Sequence, residues 1–230
     1  MAKLIPSVVK MRGSIYDVTI VRSRRYKPHV RAKRGTYTPV SINADLEQSK
    51  EQLISSNKPA KLIFDAVRTE HKDGGLWTDL LAIFRKQLKE DKGFSLKGLL
   101  KLECSRKYSL DKILHHQFSI ETDTKRKKMQ VTVQLQQHPE WPKQDFLDGY
   151  QLSITVVFPD FKKDRFKKET MRAAVVSFKD ESKPFHFEVP MPATTAPWVL
   201  FLGVAGAERG KASDVPTTKG MAVVKVSVEG

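Results

Sequence analysis

A single cysteine, Cys104, among 230 residues excludes an intramolecular disulfide, and no run of about 18 apolar residues is present to cross a bilayer. A disulfide scaffold and a membrane span therefore drop out. The first residues, Met1 to Pro6, hold too few apolar side chains before Lys10 and Arg12 for a secretory leader, so a cytoplasmic protein without membrane association is expected. Metal ligands are equally sparse. The six histidines (His29, His71, His115, His116, His138, His186) contain no His-x-x-x-His pair, and Cys-x-x-Cys is missing, which leaves a structural zinc without ligands.

Catalytic signatures are missing too. Gly210-Lys211-Ala212-Ser213 lacks the hydroxyl directly after lysine and the earlier glycine of a phosphate loop, so a β-turn is expected there. Cys104 has His115 and His116 nearby in sequence, but nothing orients them, and the residue reads as a small buried side chain. Glu70, Asp73 and Asp79 sit among Lys and Arg, where surface pairing accounts for them. The expectation is a non-enzymatic protein with no cofactor and no metal.

Acidic residues are scarce in one place. Residues 1–35 carry ten Lys/Arg against Asp17 alone, a net +9 of the chain's +15. Ile15, Val18, Ile20, Val21 and Val30 alternate loosely with polar residues, and Arg24-Arg25-Tyr26-Lys27-Pro28 offers a break, so residues 13–33 read as a basic β-hairpin rather than a tail. In an unbroken register Tyr16, Val18, Ile20, Arg22 and Arg24 line one side. Its apolar part needs a partner surface, because a lone hairpin is marginal in water.

Beyond it the periodicity is helical. Residues 44–57 read as a first helix carrying Leu46, Leu53 and Ile54. Pro59 is placed to open a second, with Leu62, Ile63, Ala66 and Val67 on one stripe. A third, from Leu76 to Lys92, buries Leu76, Leu80, Leu81, Phe84 and Leu88. A short helix within 94–102 and a linker to Ile120 follow. From Phe118 the period becomes two, with strands expected at 118–121, 130–136, 151–156, 171–178, 185–189, 198–204 and 221–228, separated by frequent Pro and Gly. The fold class is α+β: a basic arm (1–35), a helical region (36–116) and an antiparallel, immunoglobulin-like β-sandwich (117–230).

This layout resembles a family of small uncharacterised Bacteroidota proteins with a basic N-terminal hairpin, a helical middle and a C-terminal immunoglobulin-like β-domain. The matching pieces are Arg12-Gly13, Ile15, Val18 and Val30-Arg31-Ala32-Lys33, then Trp198 to Ala205 and Ala212-Ser213-Asp214. The resemblance implies the order of parts and no activity.

Two functions fit. In the first, the hairpin grips nucleic acid, RNA or DNA, without sequence specificity, since each cation that neutralises a phosphate releases condensed counterions. Arg22, Arg24, Arg25, Lys27, Arg31, Lys33 and Arg34 are the expected phosphate contacts, with Arg12 and Tyr26 beside them. Tyr16, Tyr26 and Tyr37 lie among those cations, where rings can stack on bases. An acidic protein surface is the other polyanion the arm suits. In the second, the chain is a structural subunit of a multimeric or phage-like assembly whose hairpin self-associates with a neighbour. Two further clusters, Lys125–Lys128 and Lys162–Lys168, fall in expected loops, either extending the positive surface or serving solubility alone.

Overall fold

The structure, a computed structural model, describes residues 2–3, 13–16, 18–21, 29–32, 43–71, 73, 75–90, 94–115, 117–125, 127–141, 146–192 and 196–227. The chain divides into two compact units, residues 1–45 and 46–230.

In the first unit four short strands pair antiparallel in the order β1-β4-β3-β2, with β1 at Ala2–Lys3, β2 at Gly13–Ile15, β3 at Val18–Val21 and β4 at His29–Ala32. The expected two-stranded hairpin is thus a small sheet. The first run is not continuous, because Tyr16 adopts a φ of 49° and turns the chain between β2 and β3. Tyr16 therefore leaves the strand face assigned to it, while Val18 and Ile20 share a face, since they pair with Ala32 and Val30 of β4. Thr19 and Val21 pair with Arg31 and His29, so Arg31 stands on the opposite face from Val18 and Ile20. Ser14 and Thr19 join their hydroxyls across β2 and β3 at 3.0 Å.

The second unit begins within α1, Ala44–Val67. The two helices expected around Asn57-Lys58-Pro59 are one. Pro59 removes a backbone donor at a cost of about 3 kcal/mol. The next turns bury Leu62, Ile63 and Val67, each stabilising by about 1.5–3 kcal/mol, so packing wins over local propensity. The first half of the helix is exposed, Leu46, Leu53 and Ile54 included. Next, α2, Leu76–Lys89, buries Leu76, Leu80 and Phe84. It stops short of Lys92, with the Glu90 N–H donating to the carbonyls of Lys86 and Gln87. A 3-10 turn at Leu96–Leu99 stands where the short helix within 94–102 was expected, and a one-turn α3, Leu110–Ile113, lies in the expected linker.

Two antiparallel sheets complete the α+β architecture. The smaller has the order β10-β6-β5, from β5 (Phe118–Lys125), β6 (Lys128–Leu135) and β10 (Phe185–Pro190). The larger centres on β7 (Gly149–Asp160) and β11 (Val199–Glu208). Strands β8 (Arg165–Arg172) and β9 (Val176–Ser177) pair on the free edge of β7, and β12 (Lys211–Ala212) and β13 (Lys219–Val226) on the free edge of β11. The strand expected at 171–178 is split: β8 starts earlier, at Arg165, and ends at Arg172, and the chain rejoins the sheet only for the two residues of β9. The immunoglobulin-like expectation reduces to these two facing sheets, without an inter-sheet disulfide, because the only cysteine is unpaired.

Alternation along β7 divides the core. Leu152, Ile154, Val156 and Phe158 pack with Leu200 and Leu202 of β11 against Val131 and Val133 of the smaller sheet. Val157, Val199, Phe201, Met221 and Val223, on the other face, pack with Ala60, Ile63, Leu80 and Phe84 of the helices. Helices α1 and α2 and the larger sheet thus share the second of these clusters, within the compact unit of residues 46–230. The turn expected at Gly210 is a two-residue hairpin loop between β11 and β12, with Arg209 and Gly210 both at positive φ, 52° and 71°.

Candidate polyanion-binding surface

The cations of residues 162–168 lie at the tip of the hairpin formed by β7 and β8. Asp160 pairs with Arg165 and Phe158 with Lys167 across the ladder. Asp164 closes the turn at a φ of 51°, a conformation short polar side chains tolerate, and the Asp160 carboxylate accepts the Lys163 N–H at 3.1 Å. The cluster is therefore half turn and half strand rather than a loop.

Strand alternation sorts its charges. Phe166 and Lys168 face the helices: Phe166 packs on the helix-side core, and Lys168 Nζ donates to Ala66 O (3.1 Å), Thr69 Oγ1 (2.6 Å) and Glu70 Oε1 (3.2 Å). Lys168 is thereby a structural clamp on the end of α1. Arg165 and Lys167 stand on the opposite face, exposed, and with Lys162 they have no ion pair among the described residues. Lys163 lies 3.9 Å from Asp160, a surface pair of small value.

Between these cations runs a groove of about 680 Å³ floored by Phe158, Phe161, Phe166 and Pro197. Phe161 is half-buried, its ring set edge-on to Phe84 at 6.5 Å and tilted to Phe94 at 6.3 Å, which anchors the turn on the α2 cluster. The arrangement offers an apolar slot with ring surface beside four cations, the two components a nucleotide's base and phosphate require. The signal in the sequence was the interleaving of Phe158, Phe161 and Phe166 with the lysines, which a reading by charge alone passes over.

Of the arm residues proposed from sequence, Arg31 lies on β4 with an exposed side chain and no ion pair among the described residues. Arg12, Arg22, Arg24, Arg25, Tyr26, Lys27, Lys33 and Arg34 lie outside the described residues, as does Tyr37. The second cluster is weaker than its composition implies. Lys125 pairs with Lys128 at the end of the β5–β6 ladder, and Lys128 Nζ is held by Glu188 Oε1 at 2.7 Å.

The other chemistry considered is dispersed. Cys104 is fully buried in the helix-side core, and burial pushes its thiol far above the ordinary range, disfavouring the thiolate. His115 instead lies 3.6 Å from Glu140. Asp79 is paired with Arg106, and Glu70 with Lys168 and Arg172. No group of three metal-ligating side chains occurs among the described residues, and among them no helix is long and apolar enough to cross a membrane.

No protein-family model, no curated protein and no solved structure matches the chain. The likeness to Bacteroidota proteins gains nothing from these comparisons.

Proposed function

We propose that the protein is a non-enzymatic module that binds nucleic acid through phosphate contacts, using the basic arm of residues 1–35 and the tip of the β7–β8 hairpin. One observation carries the reading: Lys162, Arg165 and Lys167 are exposed and unpaired among the described residues around a groove with phenylalanine in its floor. Unpaired cations favour any polyanion. The apolar slot beside them favours one with bases over an acidic protein surface, because a base fills it and stacks while its phosphate remains at the rim. Binding of this kind is independent of base sequence, since phosphates carry no sequence information.

The test is fluorescence anisotropy of a labelled oligonucleotide with the wild type and with Lys162→Glu/Arg165→Glu/Lys167→Glu. All three side chains are exposed, so folding should be unchanged. At low salt the variant should bind at least about tenfold more weakly, and equally so for oligonucleotides of different sequence. Unchanged affinity would remove the hairpin tip from the interface.

One observation favours the second reading, a subunit of a larger assembly. Ile15 and Val18, a cross-strand pair of β2 and β3 in the N-terminal sheet, are 52% and 40% exposed, an apolar patch beside the free edge of β2 that suits contact with another chain.

A further inference from the structure

At the tip of the β7–β8 hairpin, charge of one sign surrounds a surface that is otherwise apolar. Lys162, Lys163, Arg165 and Lys167 line the groove against a single carboxylate, Asp160. Lys163 engages that carboxylate through its backbone N–H at 3.1 Å and its Nζ at 3.9 Å. One cation is thereby offset, and Lys162, Arg165 and Lys167 remain. The rest of the lining is three phenylalanines, three prolines and Ala196, with no hydroxyl, amide or imidazole side chain among the described residues.

The rings are set in place by the fold. Phe161 meets Phe84 at 6.5 Å and Phe94 at 6.3 Å, and Phe84 is itself fully buried on α2. Phe166 packs on the helix-side core. Phe158 stands opposite Lys167 in the ladder, which puts a ring and a cation side by side on one face. Little ordering is left to be done on binding, so ring surface here contributes to affinity at a low entropic cost.

We infer, resting on the reading that this tip contacts phosphates, that the groove receives a base outside a duplex and that the protein accordingly prefers single-stranded nucleic acid. In a duplex the bases are paired and stacked inside, so its phosphates reach the cations but a nucleotide must be extruded before anything fills the groove. A single strand already offers open base faces to stack on a ring, with phosphates on either side for the flanking cations. The groove, at about 680 Å³, lies within the range of about 300–1,000 Å³ common for ligand pockets and has room for a base with its sugar. Without hydroxyl, amide or imidazole side chains to read a base edge, it takes any base.

Fluorescence anisotropy of the full chain would compare three labelled ligands at one salt concentration: a short single strand, the same strand with abasic sites in place of its bases, and its duplex. The abasic strand keeps every phosphate and should bind about fivefold or more weakly than its parent. Phe161→Leu keeps the apolar volume and removes the ring. It should weaken the single strand by a similar factor and leave the abasic strand and the duplex within about twofold of the wild type. Equal binding of the parent and abasic strands by the wild type, or a Phe161→Leu loss that extends equally to the duplex, would overturn the inference. Should Phe161→Leu not fold, Ala196→Leu, which fills the groove from a partly exposed position, carries the same expectation. Lys162→Glu/Arg165→Glu/Lys167→Glu separates the two ways of failing. If it weakens all ligands while the wild type binds parent and abasic strands equally, phosphate contact stands and base insertion falls; if it weakens none, both fall.

Discussion

His71 shows how a single buried side chain makes stability depend on pH. Burial lowers its pKa from 6.5, with Asp73 opposing and Lys219 reinforcing the shift. Above that value both folded and unfolded chains carry a neutral imidazole. As pH falls below it the unfolded chain takes up the proton first, and the folded state loses relative stability until its own depressed pKa is reached. Glu103 acts in the opposite sense: its carboxyl is raised above 4.5, chiefly by burial, so its contribution improves as pH falls. His71→Asn leaves Glu103 in place and isolates the histidine. The urea midpoint of the wild type should fall more between about pH 7.5 and about pH 5.5 than that of the variant. Equal changes in the two proteins would show that the imidazole is not held neutral by the fold. At this scale the sequence was informative for Cys104, a lone cysteine after an apolar stretch that is indeed buried, and uninformative for Tyr16 and Asp164, whose positive φ values arise from the turns they close.

Among the elements, α1 illustrates where sequence reading stops. Its two halves differ in surroundings: residues from Ser56 to Val67 bury seven side chains, whereas Leu46, Leu53 and Ile54 remain exposed. The break expected at Pro59 is absent because burial on the far side of the proline holds the backbone helical, a term that local spacing does not contain. Native-state hydrogen exchange should find amides at 60–67 protected by about 1–3 kcal/mol more than those at 46–54, since a helix without packing is only marginally stable. Equal protection along the helix would mean that its first half is held by contacts other than those seen here. The alternation of β6, β7, β10, β11 and β13 was legible within a few residues at each end, because one face of each strand is apolar. Strand β8 was not. Its outward residues are Arg165 and Lys167, its inward ones Phe166 and the clamp Lys168, so charge masked the period of two. The candidate groove was missed for the same reason.

The whole molecule carries +15, with +9 in residues 1–35, and five cations against two carboxylates in residues 160–168. A charge of that size keeps a protein soluble in any case; what distinguishes a binding surface is cations left without internal partners beside something a ligand can fill. The second unit meets both conditions at the hairpin tip, whereas Lys128 and Lys168 are consumed by Glu188 and Glu70. The central claim is therefore electrostatic, and salt tests it most directly. Affinity of the full chain for a labelled oligonucleotide, measured across rising salt concentration, should fall with a log–log slope of roughly −4 to −8, corresponding to about five to nine phosphate contacts. A flat dependence, or no binding even at low salt, would contradict the account.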